Sequence, residues 1–191
     1  MGRIVFGIIL GLILAPLLVL AWFHWGNPPV AVADPPFPFE RQIVHVPLNQ
    51  RIDRDMPGAP TIEANEANFN AGAEIYRDQC SACHGFYGKT SSFAGHMYPK
   101  APQLWQKHKN GSAVGVSDDP PGETYWKVAN GIRLTGMPAF NDALSPTQIW
   151  QVTLLLANAD KPLPPAALAI VRGEQANGPQ AATAPSRTAP K

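Results

Sequence analysis

The longest apolar run in the chain lies near its amino terminus. Every residue from 4 to 25 is apolar except His24. Because an α-helix rises about 1.5 Å per residue, a run of this length crosses a hydrocarbon layer about 30 Å thick. Arg3 precedes the run, and the positive-inside tendency keeps such a residue in the cytoplasm. We therefore predict a cytoplasmic terminus at residues 1–3, a transmembrane anchor at residues 4–25, and export of the remainder to the periplasm or the outer face of the cell membrane.

A cleaved secretory signal is the alternative interpretation of the same run. Ala31-Val32-Ala33 has the small-residue spacing that a signal peptidase uses, and cleavage there would leave a mature chain that begins at Asp34. The apolar run is longer than the roughly 7–15 residues usual in a signal peptide. Retention as an anchor is therefore the prediction.

Residues 26–64 show neither a helical period nor strict alternation of apolar and polar residues. The segment contains Pro28-Pro29, Pro35-Pro36 and Pro38, which disfavour regular structure. We predict an extended, proline-rich linker that holds a domain clear of the membrane surface. A short strand over residues 43–48, lying against the domain, is the alternative for that part.

Helical periods return between residues 65 and 160. A first helix is expected from Asn65 or Asn68 to the region of Cys80, and a second from Pro121 or Glu123 to Asn130-Gly131. A third opens at Ser145-Pro146, a cap followed by proline at the first helical position, and runs towards Asp160. Its expected buried face consists of Ile149, Trp150, Val152, Thr153 and Leu156. We predict one all-α domain over residues 65–160.

The remaining composition limits the other possibilities. Residues 161–191 are rich in alanine and proline and lack aromatic side chains, so we expect a disordered tail. The formal net charge of the 191 residues is only +1, and no block of lysine and arginine occurs. A nucleic-acid partner is therefore not expected, because phosphate binding requires a basic face.

Both cysteines of the chain lie in the segment Cys80-Ser81-Ala82-Cys83-His84. Two thiols separated by two residues and followed by histidine are the pattern of covalent haem attachment, in which the thiols add to the vinyl groups and the histidine ligates iron. A zinc site would need further ligands, and a thioredoxin-like dithiol would follow a strand and not a helix. We therefore expect one covalently bound haem c, with Cys80 and Cys83 as attachment points and His84 as an iron ligand.

Three blocks around this motif resemble the class I cytochromes c, and the resemblance covers roughly residues 65–160. Residues 72–76 resemble the amino-terminal helix of the family, residues 131–140 its methionine loop, and residues 144–146 the start of its carboxy-terminal helix. The resemblance implies an all-α fold around one haem, in which the first and last helices cross closely. Gly72 would make room for a bulky side chain, either Trp150 or Leu154.

Met137 is the expected second axial ligand. A soft thioether suits ferrous iron, and the setting Thr135-Gly136-Met137-Pro138 matches the methionine loop of the family. Met97, His96 and His108 are the rivals. The resemblance also implies that a proline carbonyl accepts the second ring N–H of His84, and Pro102 is the first candidate, with Pro99 as the alternative.

These expectations favour an electron-transfer protein and not an enzyme. Two strong axial ligands leave iron no open position for a substrate. The anchor and linker suggest a carrier of single electrons between membrane respiratory or dehydrogenase complexes, either free or as a subunit of an oxidoreductase complex. A haem-based gas sensor in which the methionine ligand is displaced is the alternative.

Overall fold

The computed structural model describes residues 1–174, and the regular secondary structure of these residues is helical apart from two isolated β-bridges. The predicted all-α class is therefore confirmed for this part of the chain. The chain divides into two compact units, one of Met1–Asn49 and one that begins at Gln50. The helices are α1 (Gly2–Trp25), α2 (Glu40–Asp55), α3 (Glu66–Ile75), α4 (Ser81–His84), α5 (Pro121–Asn130), α6 (Pro146–Ala157) and α7 (Pro165–Val171), with a π-helical turn at Tyr76–Cys80 and a 3₁₀ turn at Phe93–His96.

The first unit contains α1, which has no buried residue. It is the one helix among residues 1–174 that is long and apolar enough to cross a membrane. Its bounds agree with the predicted apolar run to within two residues at the amino end.

Helix α2 corrects the expectation of an extended linker. Residues 40–55 are helical, so neither an extended backbone nor a strand at residues 43–48 is present. The Glu40 carboxylate accepts a hydrogen bond from the Phe37 backbone N–H at 2.8 Å and lies in the first turn, where it interacts favourably with the helix dipole. Arg51 forms an i,i+4 ion pair with Asp55 in the last turns. In the second unit, the side chain of Ile52 is only 1% exposed, which fixes the end of this helix in the domain.

The second unit is organised by α3 and α6, which cross closely. Asn65 caps α3, with its side chain accepting from the Asn68 N–H at 3.0 Å, and Ser145 caps α6 in a capping box with Gln148. Both starts agree with the prediction.

Gly72 lies at this crossing, as predicted, but its neighbour is different. A Cβ built on Gly72 would lie 2.3 Å from the carbonyl oxygen of Gln151. The glycine therefore admits the main chain of α6, and not the side chain of Trp150 or Leu154. The Gln151 side chain also donates to Asn68 at 3.0 Å, which joins the two helices at the same level.

The buried core lies between α3, α5, α6 and α7. The Tyr125 ring of α5 packs against the Trp150 ring of α6, with centroids 4.4 Å apart. The residues of the core are almost completely buried. They are Ala73, Tyr76, Leu104, Trp105, Val128, Ile149, Val152, Leu155, Leu156, Ala159, Ala167 and Val171.

Helix α7 corrects the prediction of a disordered tail for residues 161–174. Ala167 and Val171 have no solvent exposure, and the helix packs against α3. The Val171 carbonyl accepts a hydrogen bond from the Tyr87 N–H at 2.8 Å, so α7 also holds the loop that follows the cysteine motif. The predicted disorder of residues 175–191 lies outside the described residues.

Candidate haem-binding site

The cysteine motif is formed by a change of helix type at the end of α3. The π-helical turn Tyr76–Cys80 continues α3 into the short helix α4, which stops at Gly85 with a φ of 75°. Helical residues three and four apart share a face, so Cys80, Cys83 and His84 project from one side of this turn. Both thiols are free and half-buried.

Tyr76 fixes the end of this turn. Its buried hydroxyl donates to the Gly85 carbonyl at 2.7 Å, and its ring packs edge-on against Trp105 with centroids 5.5 Å apart. Burial raises the pKa of the Tyr76 phenol well above its usual range, so the hydroxyl remains a donor at physiological pH. The residue after His84 is therefore held to the preceding helix.

His84 has one ring nitrogen engaged by the protein. Its Nδ1 lies 2.7 Å from the carbonyl oxygen of Pro102, which can only accept, so Nδ1 carries the proton. The partner is the expected Pro102 and not Pro99. Burial lowers the pKa of His84, and the hydrogen bond to Pro102 has a smaller effect in the opposite direction. The lowered pKa favours the neutral ring. The unprotonated Nε2 is then available as a metal ligand.

Two polar side chains that the sequence analysis did not select connect the motif to the following loop. Gln103 donates to the Cys83 carbonyl at 3.1 Å and accepts from the Ser91 N–H at 2.7 Å. The Ser91 hydroxyl donates to the Ala82 carbonyl in a short hydrogen bond. The positions of both residues in the sequence are typical of loop polar residues, so only the three-dimensional contacts show their role.

The loop that carries Met137 is rigidly closed by its own hydrogen bonds. The Ile132 N–H donates to the Met137 carbonyl at 3.2 Å, and the Thr135 hydroxyl donates to the Ile132 carbonyl at 2.7 Å. The Met137 N–H in turn donates to the Thr135 hydroxyl oxygen at 3.1 Å. Gly131, with a φ of 65°, permits the closure, because a Cβ there would lie 2.8 Å from the Met137 carbonyl oxygen.

Met137 and Cys80 pack, half-buried, against the same core cluster. Two of the three rival ligands, His96 and His108, lie in other environments, whereas Met97 lies beside the Met137 loop. His96 is exposed in the 3₁₀ turn, and His108 Nε2 lies 2.8 Å from the Gly115 carbonyl oxygen, an ordinary structural contact for a surface histidine. The side chain of Met97 reaches Gly136, the neighbour of Met137.

The thiol chemistry favours covalent attachment over a redox dithiol. Burial, and to a lesser extent the neighbouring Cys83, raises the pKa of the Cys80 thiol to about 12. A redox-active pair at this spacing requires the opposite shift, because the thiolate is the nucleophile. Residues 1–174 also contain no group of three or more His, Cys, Asp or Glu side chains placed to hold a bare metal ion. Two thiols on one face, an oriented imidazole and a thioether on a closed loop fit a haem c.

The helical fold and the cysteine motif are typical of a c-type cytochrome domain. Residues 67–154 match the family model described as cytochrome C oxidase, cbb3-type, subunit III, and this part of the chain is a cytochrome c domain that binds haem c covalently. Over 99 residues the chain is 28% identical to the quinohemoprotein alcohol dehydrogenase ADH-IIG of Pseudomonas putida, a match that covers 51% of this chain and 11% of that enzyme. No solved structure matches the chain significantly. A domain of this class transfers single electrons through its haem.

Proposed function

We propose that the chain is a membrane-anchored carrier of single electrons, in which Cys80 and Cys83 attach the haem while His84 and Met137 ligate its iron. The observation that carries the proposal is the fixed imidazole of His84. Its Nδ1–H donates to the Pro102 carbonyl at 2.7 Å, and His84 lies within one helical turn of the two half-buried thiols. A ligating histidine requires this arrangement, since the second hydrogen bond sets the tautomer and the ring orientation.

Met137 completes the proposed ligand set. The hydrogen bonds of its loop determine the backbone on both sides of the thioether, so little conformational freedom remains to be lost on ligation. Paired histidine and methionine ligands raise the reduction potential, because the thioether favours ferrous iron. The bound haem supplies the exchange of one electron, and the protein supplies both ligands and the apolar surroundings.

Two protein ligands are the reason to propose a carrier and not a catalyst. With both axial positions occupied, a substrate has no coordination site at iron. Tyr76, which is buried, and Ser91 and Gln103, which are half-buried, form hydrogen bonds with the motif that hold groups in place and do not activate a nucleophile. We infer that the chain acts on other proteins by electron exchange alone.

The proposed location and partners are supported by α1 and by the two comparisons. An exposed apolar helix of 24 residues supports a single-pass anchor, and Arg3 before it supports a haem domain on the periplasmic side. The matching family is described as an oxidase subunit, and the similar enzyme is named an alcohol dehydrogenase. We propose a membrane dehydrogenase as the electron donor of this chain and a terminal oxidase as its electron acceptor. The chain serves them as a free carrier or as a bound subunit.

The ligand set is tested by Met137→Ala in the haem-loaded protein. We expect loss of the sulfur-to-iron absorption band of the ferric state, a lower reduction potential and new binding of carbon monoxide by the ferrous state, because the variant opens the sixth position. Met56→Ala is the matched control, since it removes a half-buried methionine from another segment. A Met137→Ala protein that keeps the band would contradict the assignment. Strong carbon monoxide binding by the unmodified protein would favour the gas sensor instead.

The partner proposal is tested by purification from native membranes in a mild detergent. We expect haem-containing oxidase or dehydrogenase subunits to co-purify, or the isolated protein to accept electrons from one such complex and reduce the other. Failure of both transfers with an intact, reducible haem would contradict the proposed role.

A further inference from the structure

Met97 contacts the main chain of the proposed ligand loop. A Cβ built on Gly136 would lie 2.3 Å from the Cε methyl of Met97 and 4.0 Å from its sulfur. The tip of the Met97 side chain therefore occupies the space beside the residue that immediately precedes Met137. Gly136 can have no side chain while the methyl group is there.

The backbone that carries Met97 is joined to the cysteine motif. The Met97 N–H donates to the Ala94 carbonyl at 3.4 Å, and the Ala94 N–H donates to the Ser91 hydroxyl oxygen at 3.3 Å. That hydroxyl donates to the Ala82 carbonyl, between the two cysteines. A continuous series of contacts thus runs from α4 through the 3₁₀ turn to Gly136.

Gln103 forms a second connection between the cysteine motif and the segment that carries Met97. Its amide donates to the Cys83 carbonyl and accepts from the Ser91 N–H, so segment 91–97 is held at its start by two separate hydrogen-bonding groups. Gln103 also follows Pro102, whose carbonyl orients His84. The segment that ends in Met97 is therefore fixed to the same structure that fixes the first iron ligand.

We propose that Met97 is a positioning residue, which packs on Gly136 and holds the Met137 loop in place against the His84 side of the site. The inference rests on the proposed function, because it presumes Met137 as the ligand. A methionine suits the role, since its flexible thioether side chain fills an irregular gap between a loop and a short helix. Without this contact the loop is restrained only by its own hydrogen bonds and by its packing on the core.

The test compares Met97→Ala with Met97→Leu in the haem-loaded full chain. The readouts are the sulfur-to-iron band, the reduction potential and the affinity of the ferric protein for added imidazole, which competes with the methionine ligand. Met97→Ala should bind imidazole about tenfold more tightly, as loss of an apolar contact equivalent to about one or two CH₂ groups predicts. Met97→Leu should remain within about twofold of the unmodified protein, because volume-conserving apolar replacements are well tolerated. Met56→Leu and Met56→Ala are the matched controls, and both should leave imidazole binding unchanged.

A double-mutant cycle with Gly136→Ala tests the contact itself. In the unmodified protein the new methyl group should displace the Met97 methyl and strengthen imidazole binding. In the Met97→Ala background the same change should have a smaller effect, since the group that it collides with is gone. Equal effects in both backgrounds would show that the two residues do not interact, and the inference would fail.

The outcomes separate this inference from the proposed function. If Met97→Ala binds imidazole like the unmodified protein while Met137→Ala loses the band, the positioning role is wrong and the ligand set stands. If Met97→Ala and Met97→Leu both lose the band while Met137→Ala keeps it, Met97 is itself the ligand, and both proposals are overturned. A leucine variant that behaves as the unmodified protein while the alanine variant does not would support the positioning role.

Discussion

Tyr76 shows how a single buried side chain determines the geometry of the attachment turn. The residue has no solvent exposure, and its hydroxyl satisfies the Gly85 carbonyl, which is buried immediately after His84. A buried carbonyl that loses its hydrogen-bond donor costs the folded state the full free energy of removing that carbonyl from water. The hydroxyl group of Tyr76 therefore stabilises the site in addition to the packing of its ring.

Tyr76→Phe should destabilise the haem-loaded protein by about 1–3 kcal/mol, because it leaves the Gly85 carbonyl unsatisfied with little change in packing. Denaturant unfolding in detergent, followed by tryptophan fluorescence, measures the change. Tyr87→Phe is the matched control, since the Tyr87 ring is 42% exposed. Equal stability of the two variants would show that the Tyr76 hydrogen bond contributes nothing.

At the scale of residues, the sequence predicts the functional groups that must lie close together along the chain. Cys80, Cys83 and His84 must lie within one helical turn to serve one haem, so their pattern is visible in the sequence. The hydrogen bond to Pro102 was predicted through the family resemblance and is confirmed by the structure. Ser91 and Gln103 could not be assigned roles, and Met97 could be considered only as a rival ligand, because their contacts join segments that are separate in the sequence.

At the scale of elements, α3 and α6 cross with their main chains close together. A Cβ on Gly72 would meet the Gln151 carbonyl oxygen at 2.3 Å, and that oxygen belongs to the main chain of a buried helix. Neither helix can move apart from the other without disrupting the packing of the core. The requirement for glycine here is steric and does not come from an unusual backbone conformation.

Gly72→Ala should therefore lower the free energy of unfolding by about 1–3 kcal/mol or more, as expected for overpacking in a core. Denaturant unfolding again provides the measurement. Gly95→Ala is the control, because a Cβ at Gly95 has no neighbour within 4 Å. A Gly72→Ala protein as stable as the Gly95→Ala protein would contradict the close crossing.

Helix α7 lies outside the residues that match the family model, yet it is part of the core. A chain that stops after Leu163 should lose at least the roughly 1.5–3 kcal/mol expected from burial of Val171 alone. A chain that stops after Glu174 retains α7 and should keep this contribution. Hydrogen exchange at the Tyr87 amide provides a local readout, since its acceptor is the Val171 carbonyl. Unchanged exchange in the shorter chain would show that α7 does not hold this loop.

The elements that the sequence predicted well have both a cap and an apolar face. The start of α6 is the clearest case, since the expected cap of Ser145 followed by Pro146 is present before a strongly buried helix, and Gln148 completes a capping box that was not predicted. Helix α2 was missed because it is largely polar and contains Pro47, so its sequence has no continuous apolar face. Helix α7 was missed because alanine and proline dominate its composition, although a few small apolar residues suffice where a core is already formed.

At the scale of the whole molecule, α1 determines whether the haem domain remains at the membrane. If α1 is an anchor, the membrane fraction should contain a protein that begins at Met1 or Gly2, because the apolar run exceeds the length of a typical signal. Amino-terminal sequencing of the purified protein provides the measurement. A soluble protein that begins at Asp34 would show that the segment is a cleaved signal.

The central claim is covalent attachment of the haem through Cys80 and Cys83, and haem staining after denaturing gel electrophoresis tests it most directly. Thioether bonds survive denaturation, so the unmodified protein should retain stained haem at the mass of the polypeptide. The Cys80→Ala, Cys83→Ala double variant should lose the stain, whereas Met137→Ala should keep it, because an axial ligand forms no covalent bond to the porphyrin. Haem retained in the double variant, or absent from the unmodified protein, would contradict the account.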